Sequence, residues 1–155
     1  MTTDFAWYGN ISIWAGVAAW ILAQCIKLLI FMMRNHKFDS AFLFRLGGMP
    51  SSHSAAVVAT ATSIGLRSGF STPLFALALG LSLIVMIDAQ SVRRAAGQQA
   101  RLLNQIVDEL FKSHHFSSIK LVEFLGHTRL EVFLGMILGI LCALLCHGLL
   151  PLDMP

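Results

Sequence analysis

Four apolar stretches leave this chain few ways to fold: they cover roughly 11–33, 49–66, 72–89 and 132–150. A helix that crosses a bilayer needs about 20 mostly apolar residues, so the first and last are long enough. The second and third are marginal, and a tilted or partly re-entrant course stays open for them. Hydrophobic residues make up 56% of the chain and charged ones 12%, with a mean hydropathy of +0.73. Soluble domains carry about 25% charged residues, so this composition points to the bilayer and away from nucleic acid. The 155 residues allow a single domain, 1–155. The expected fold is therefore an all-α integral membrane protein with about four transmembrane helices.

The stretches differ in kind. The second is built largely from Ala, Val, Ser and Thr, which suits close packing inside a helix bundle better than contact with lipid. The first is a poor cleavable signal peptide, because it lacks a basic leader and carries Lys27 deep within it. Cys25, Cys142 and Cys146 all fall in apolar helices without a metal-type C-x-x-C spacing, and read as small helix residues.

Basic residues sort by side. Arg34, Lys37 and Arg45 lie between the first two stretches, and Arg93, Arg94, Arg101, Lys112, Lys120 and Arg129 between the last two. Only Arg67 falls opposite, and the termini contribute Asp4 and Asp153. The positive-inside rule places both basic connections in the cytoplasm and both termini outside, which agrees with an even number of spans. From about 98 to 125, Leu102, Leu103, Ile106, Val107, Leu110 and Phe111 recur at helical spacing opposite Arg101, Gln105, Asp108 and Glu109. This pattern predicts an amphipathic helix between the third and fourth spans, lying on the membrane surface or capping the bundle. A second short helix is expected from Ser117 or Ser118 to Leu125.

This topology brings three polar clusters to one membrane face. The first is Gly47-Gly48-Met49-Pro50-Ser51-Ser52-His53-Ser54, a small-residue turn that opens a helix. Backbone N–H groups at such a start attract anions, and a histidine there moves protons near neutral pH. The second cluster runs from Asp88 to Gly97 and carries the tandem Arg93-Arg94, suited either to bidentate phosphate contact or to anchoring at lipid headgroups. The third holds His127 and Glu131, four apart. On a helix they share a face, where the carboxylate fixes the imidazole tautomer and leaves its other nitrogen basic and nucleophilic. An ordinary helix-start pair is the alternative. Lys27, an ionisable residue within a span, either faces the bundle interior or snorkels to the interface. His36, His114, His115 and His147 lie outside the clusters and read as background.

At these residues the chain resembles the small divergent branch of the type 2 phosphatidic acid phosphatase superfamily, which also contains the vanadium-dependent haloperoxidases. The resemblance runs from Gln24 to about Gly139. Lys27 and Arg34 match the spacing of the superfamily's K-x6-R-P motif, with Asn35 in place of the proline. Pro50-Ser51-Ser52-His53 matches P-S-G-H, with serine for glycine. His127 and Glu131 match H-x3-D, with glutamate for aspartate, and Arg93 or Arg94 supplies the motif's arginine, separated from that histidine by more than thirty residues where the motif has five.

The resemblance implies a metal-free, cofactor-free phosphatase. His127 would be the nucleophile, Glu131 its orienting carboxylate and His53 the general acid. Lys27, Ser51, Ser52, Arg93, Arg94 and Arg34 would bind phosphate. The substrate would be a lipid phosphate such as phosphatidylglycerol phosphate, met at the cytoplasmic face of a bacterial inner membrane. A polyprenyl diphosphate fits that side less well. A non-catalytic membrane protein that binds lipid headgroups or scaffolds a complex is the alternative, and an oxidant haloperoxidase a distant third. Membrane lipids are the expected partners, nucleic acid is not, and a homo-oligomer stays open.

Overall fold

In a computed structural model the described residues are 9–35, 48–110 and 126–149, with the side chains of residues 93, 94 and 110 set aside. They form five helices: α1 (Ile11–Asn35), α2 (Ser52–Ser68), α3 (Pro73–Gln90), α4 (Val92–Leu110) and α5 (Arg129–Leu149). No strand occurs among the described residues. The expected short helix ending at Leu125, together with Gly47, His36, His114 and His115, lies outside them.

Helix α2 is the axis of the bundle, with α1, α3 and α5 all packed against it. Among the described residues, three helices are long and apolar enough to cross a membrane: α1, α5 and the run from Pro73 to Glu109 that begins with α3. Helix α2, shorter at 17 residues and less apolar, is not among them, and its position explains its composition. Its buried face is Ser52, Ser54, Ala55, Val58, Ala59, Ala61, Ser63 and Gly65, so it meets other helices where a spanning helix would meet lipid. Its 17 residues make a rod of about 26 Å, close to the thickness of the hydrocarbon core.

Small residues set the helix spacing. A side chain at Gly135 would run into the Ser51 carbonyl, and one at Gly139 would come within 3.0 Å of the Ala59 amide nitrogen. These two glycines, one turn apart on α5, let its backbone lie against α2, and Gly16 on α1 does the same beneath Thr60. We expect Gly135→Ala or Gly139→Ala to cost about 1–3 kcal/mol through overpacking, read as a lower melting temperature in detergent. Gly80→Ala, where a Cβ would meet open space, leaves the melting temperature unchanged or raised.

Polar layers mark the two ends of the bundle. At one end Ser63 Oγ donates to Ser12 Oγ at 3.0 Å and lies 2.8 Å from His147 Nε2, joining α1, α2 and α5. The tight α2–α3 connection sits there too. Gly69 takes φ +95°, Thr72 caps α3 through the Phe75 amide, and Pro73 opens that helix. At the other end the α1 C-terminus, the α2 N-terminus, the α3 C-terminus and the α5 N-terminus meet.

Helix α4 differs from expectation in two ways. It begins at Val92, not near residue 98, because helical bonding continues across Ser91: its N–H reaches the Ile87 carbonyl and its carbonyl receives the Ala95 N–H, both at 2.9 Å. The Ser91 hydroxyl also donates to Ile87 O at 2.7 Å, a contact that bends helices. Second, α4 does not cap the bundle. It touches only α3 among the described elements, and Leu102, Leu103 and Ile106 are exposed.

Candidate active site

Lys27 is 5% exposed on the inner face of α1, and its Nζ donates to Ser52 Oγ at 3.1 Å. This overturns the snorkelling alternative: the ammonium turns into the bundle, toward the head of α2. The Glu131 carboxylate acts on it electrostatically across the site. Gly48 takes φ +84°, a backbone region open to glycine but costly for other residues, as the chain enters the Pro50-Ser51 turn beside the Lys27 stem.

Ser51 and Ser52 have different roles. Ser51 is fully buried and caps α2, its Oγ accepting from the Ser54 N–H at 3.4 Å and the Ser54 hydroxyl at 3.1 Å. Its own N–H donates to the Glu131 carbonyl at 2.9 Å, tying α2 to α5. The Ser51 amide is therefore engaged within the protein, which removes it from the expected set of phosphate donors. The first helical amide at this end is that of Ser52, a position with no intrahelical carbonyl to bond.

His127 is 5% exposed just ahead of α5, with its N–H held by the Ala89 carbonyl at 3.0 Å. Its Nδ1 lies 3.0 Å from Glu131 Oε2. The expected reason for that contact needs correction. Helix α5 starts at Arg129, so the two residues do not share a helical face. Thr128 and Glu131 instead form a capping box: the Thr128 N–H donates to Glu131 Oε2 at 2.9 Å, and the Glu131 N–H to Thr128 Oγ1 at 3.3 Å. The cap presents the carboxylate to the imidazole. A carboxylate only accepts, so Nδ1 carries a proton, and in the neutral ring Nε2 is then the nitrogen with the free lone pair.

His53, in the first turn of α2, has its ring centroid 6.4 Å from that of His127, close enough for both to reach one phosphoryl group. The structure thus brings Lys27, Ser52, His53, His127 and Glu131 to one end of the bundle. Arg93 and Arg94 lie on the first turn of α4, one helical turn beyond the Ala89 carbonyl that holds His127. Arg34 is exposed on the last turn of α1, seven residues or about 10 Å past Lys27, and so stands away from the Lys27–Ser52 contact.

A family model described as the divergent PAP2 family matches residues 8–142. The chain belongs to the divergent PAP2 family. A family relative, "Uncharacterized membrane protein YuiD" of Bacillus subtilis (strain 168), is 38% identical over 146 residues, covering 87% of this chain and 92% of that protein. No solved structure matches the chain. Within this divergent PAP2 chain, three contributors were not singled out from residue spacing: the Ala89 carbonyl, the Thr128 cap, and the glycines that seat α5 on α2. The capping box was visible as Thr128-x-x-Glu131. The other two depend on which helices touch.

The double duty of Glu131 separates its roles by mutation. Glutamine also serves in a capping box, so Glu131→Gln keeps the melting temperature. It loses the anion held against His127 Nδ1, and if that imidazole is a nucleophile, turnover falls by up to about 10⁴-fold, as in the comparable change in a serine-protease triad. Glu131→Ala also loses the cap, with a further stability cost of about 1 kcal/mol. Paired melting and turnover measurements on both variants check this.

Proposed function

We propose that this chain is a membrane-embedded, metal-independent phosphatase that hydrolyses a lipid monophosphate at the cytoplasmic face through a phosphohistidine. The supporting observation is the buried His127, its Nδ1 on Glu131 and its ring beside His53. In the first step His127 Nε2 attacks phosphorus, the bond to the lipid oxygen breaks, and protonated His53 gives its proton to that oxygen. In the second, neutral His53 takes a proton from a water that attacks phosphorus, the P–N bond breaks, and inorganic phosphate leaves. Charge builds on the phosphoryl oxygens in both steps. Lys27, the Ser52 amide and hydroxyl, and Arg93 or Arg94 are the stabilising donors, and phosphoryl transfer depends chiefly on such positioning and charge.

The basic connections favour the cytoplasmic side, hence a glycerophospholipid monophosphate over a polyprenyl diphosphate. One observation favours a second reading, non-catalytic headgroup binding: the capping box alone accounts for the Glu131 position. Phosphate release from phosphatidylglycerol phosphate by purified protein in chelator separates the two. Catalysis predicts turnover blocked by vanadate, a transition-state mimic. Binding without release favours the scaffold.

A further inference from the structure

Helices α1 and α3 both pack on α2 but do not touch one another among the described residues. Between them lies a groove of about 750 Å³, floored by α2 and open to the side. Its floor continues the stripe that begins at the candidate site. His53, Val57, Thr60 and Ile64 follow at four, seven and eleven residues, one face of a helix. Trp20 of α1 and Ala78 of α3 stand on its two walls. The two hydroxyls in the lining are turned onto backbone: Thr60 Oγ1 donates to Ala56 O at 3.0 Å, and Ser82 Oγ to Val57 O at 3.0 Å. The groove therefore presents an almost wholly apolar surface.

Its depth fits a lipid tail. Groove residues on α2 run from Ala56 to Ile64, about 6–18 Å below Ser52 at 1.5 Å per residue. One leaflet of hydrocarbon is about 15 Å deep, so the groove covers the course of a chain whose headgroup sits at Ser52 and His53. Its width fits as well. A volume of about 750 Å³ over about 12 Å of length gives a mean cross-section of about 60 Å², below the roughly 80–110 Å² of a helix with side chains. A hydrocarbon chain enters; a helix of a second copy does not seat fully.

We infer that this groove holds one hydrocarbon chain of the phosphorylated lipid whose headgroup occupies the His53–His127 site, and so sets chain-length preference. The inference rests on the phosphatase reading for its substrate but has its own readout. Butyl, octyl and hexadecyl phosphate are compared at equal micellar mole fraction. In parallel, Trp7→Phe/Trp14→Phe protein, with Trp20 as its one tryptophan, is titrated with a mid-chain brominated alkyl phosphate and the matching bromoalkyl alcohol. Groove-filling Ala78→Phe and, from the α1 wall, Val17→Phe are measured with each.

The expected result is at least about 10-fold higher kcat/KM for hexadecyl than butyl phosphate, a difference of about 1.4 kcal/mol. Either filling variant removes that preference and leaves butyl phosphate turnover unchanged. The bromoalkyl phosphate quenches Trp20 at lower mole fraction than the alcohol does, and filling abolishes the difference. Phosphate-dependent quenching without turnover keeps the groove as a chain site and removes the phosphatase reading. Turnover whose chain preference survives filling by both variants overturns the groove and leaves the phosphatase. A dimer that Ala78→Phe dissociates, with no phosphate-dependent quenching, makes the groove a contact between copies and overturns the inference. So does the absence of both turnover and quenching.

Discussion

Replacing His127 with alanine lowers phosphate release from a lipid monophosphate by about 10⁴–10⁶-fold, the span of losses when single members of a serine-protease triad are removed. The loss falls on kcat, because in the proposed mechanism the imidazole acts on the reacting phosphorus and adds little to ground-state binding. The fold tolerates the change. The backbone bond from the His127 N–H to Ala89 O does not involve the side chain, and the Thr128–Glu131 cap survives without the ring. Thermal melting and phosphate release on the same preparation check both halves. A variant with unaltered turnover would remove His127 from the chemistry and leave its carboxylate contact as a helix-start feature.

Lys27→Met carries the second large effect, and it separates catalysis from stability. An ammonium buried in a bundle has lost its hydration, and pairing seldom repays that cost in full. Methionine has a similar length and no charge, so the melting temperature should hold or rise. Turnover should fall by about 10²–10³-fold, the usual cost of removing one donor to developing charge. The released Ser52 hydroxyl keeps its place beside the capped start of α2. If activity and melting temperature fall together, Lys27 is a structural tie between α1 and α2.

Hydropathy and small-residue composition made much of the fold legible. The α2–α3 connection is local, with Gly69 and Thr72-Pro73 ending one helix and starting the next within a few residues. The weak hydropathy of α2 was readable as burial because its small residues lie on a packing face. The start of α4 was misplaced because the apolar periodicity begins only past residue 98, whereas the helical carbonyl ladder runs through Ser91. In the site, residue types and spacing singled out Lys27, Ser52, His53, His127 and Glu131. Spacing gave the wrong reason for the His127–Glu131 contact, since an i,i+4 pair meets across a helix start as readily as along a helix. The engagement of the Ser51 amide with Glu131 was not visible at all, because it depends on how far Gly135 lets α5 approach α2.

In the proposed mechanism Nε2 of His127 takes the phosphoryl group, in a site assembled from three remote stretches of chain. The direct test is to mix purified protein with a lipid monophosphate radiolabelled in its phosphate, denature within the first turnover under alkaline conditions that preserve phosphohistidine, and map the label by peptide mass spectrometry. The account predicts label on the peptide containing His127 and none in His127→Ala. Label on another residue, or steady turnover with no trapped phosphoprotein and full activity in His127→Ala, would contradict it.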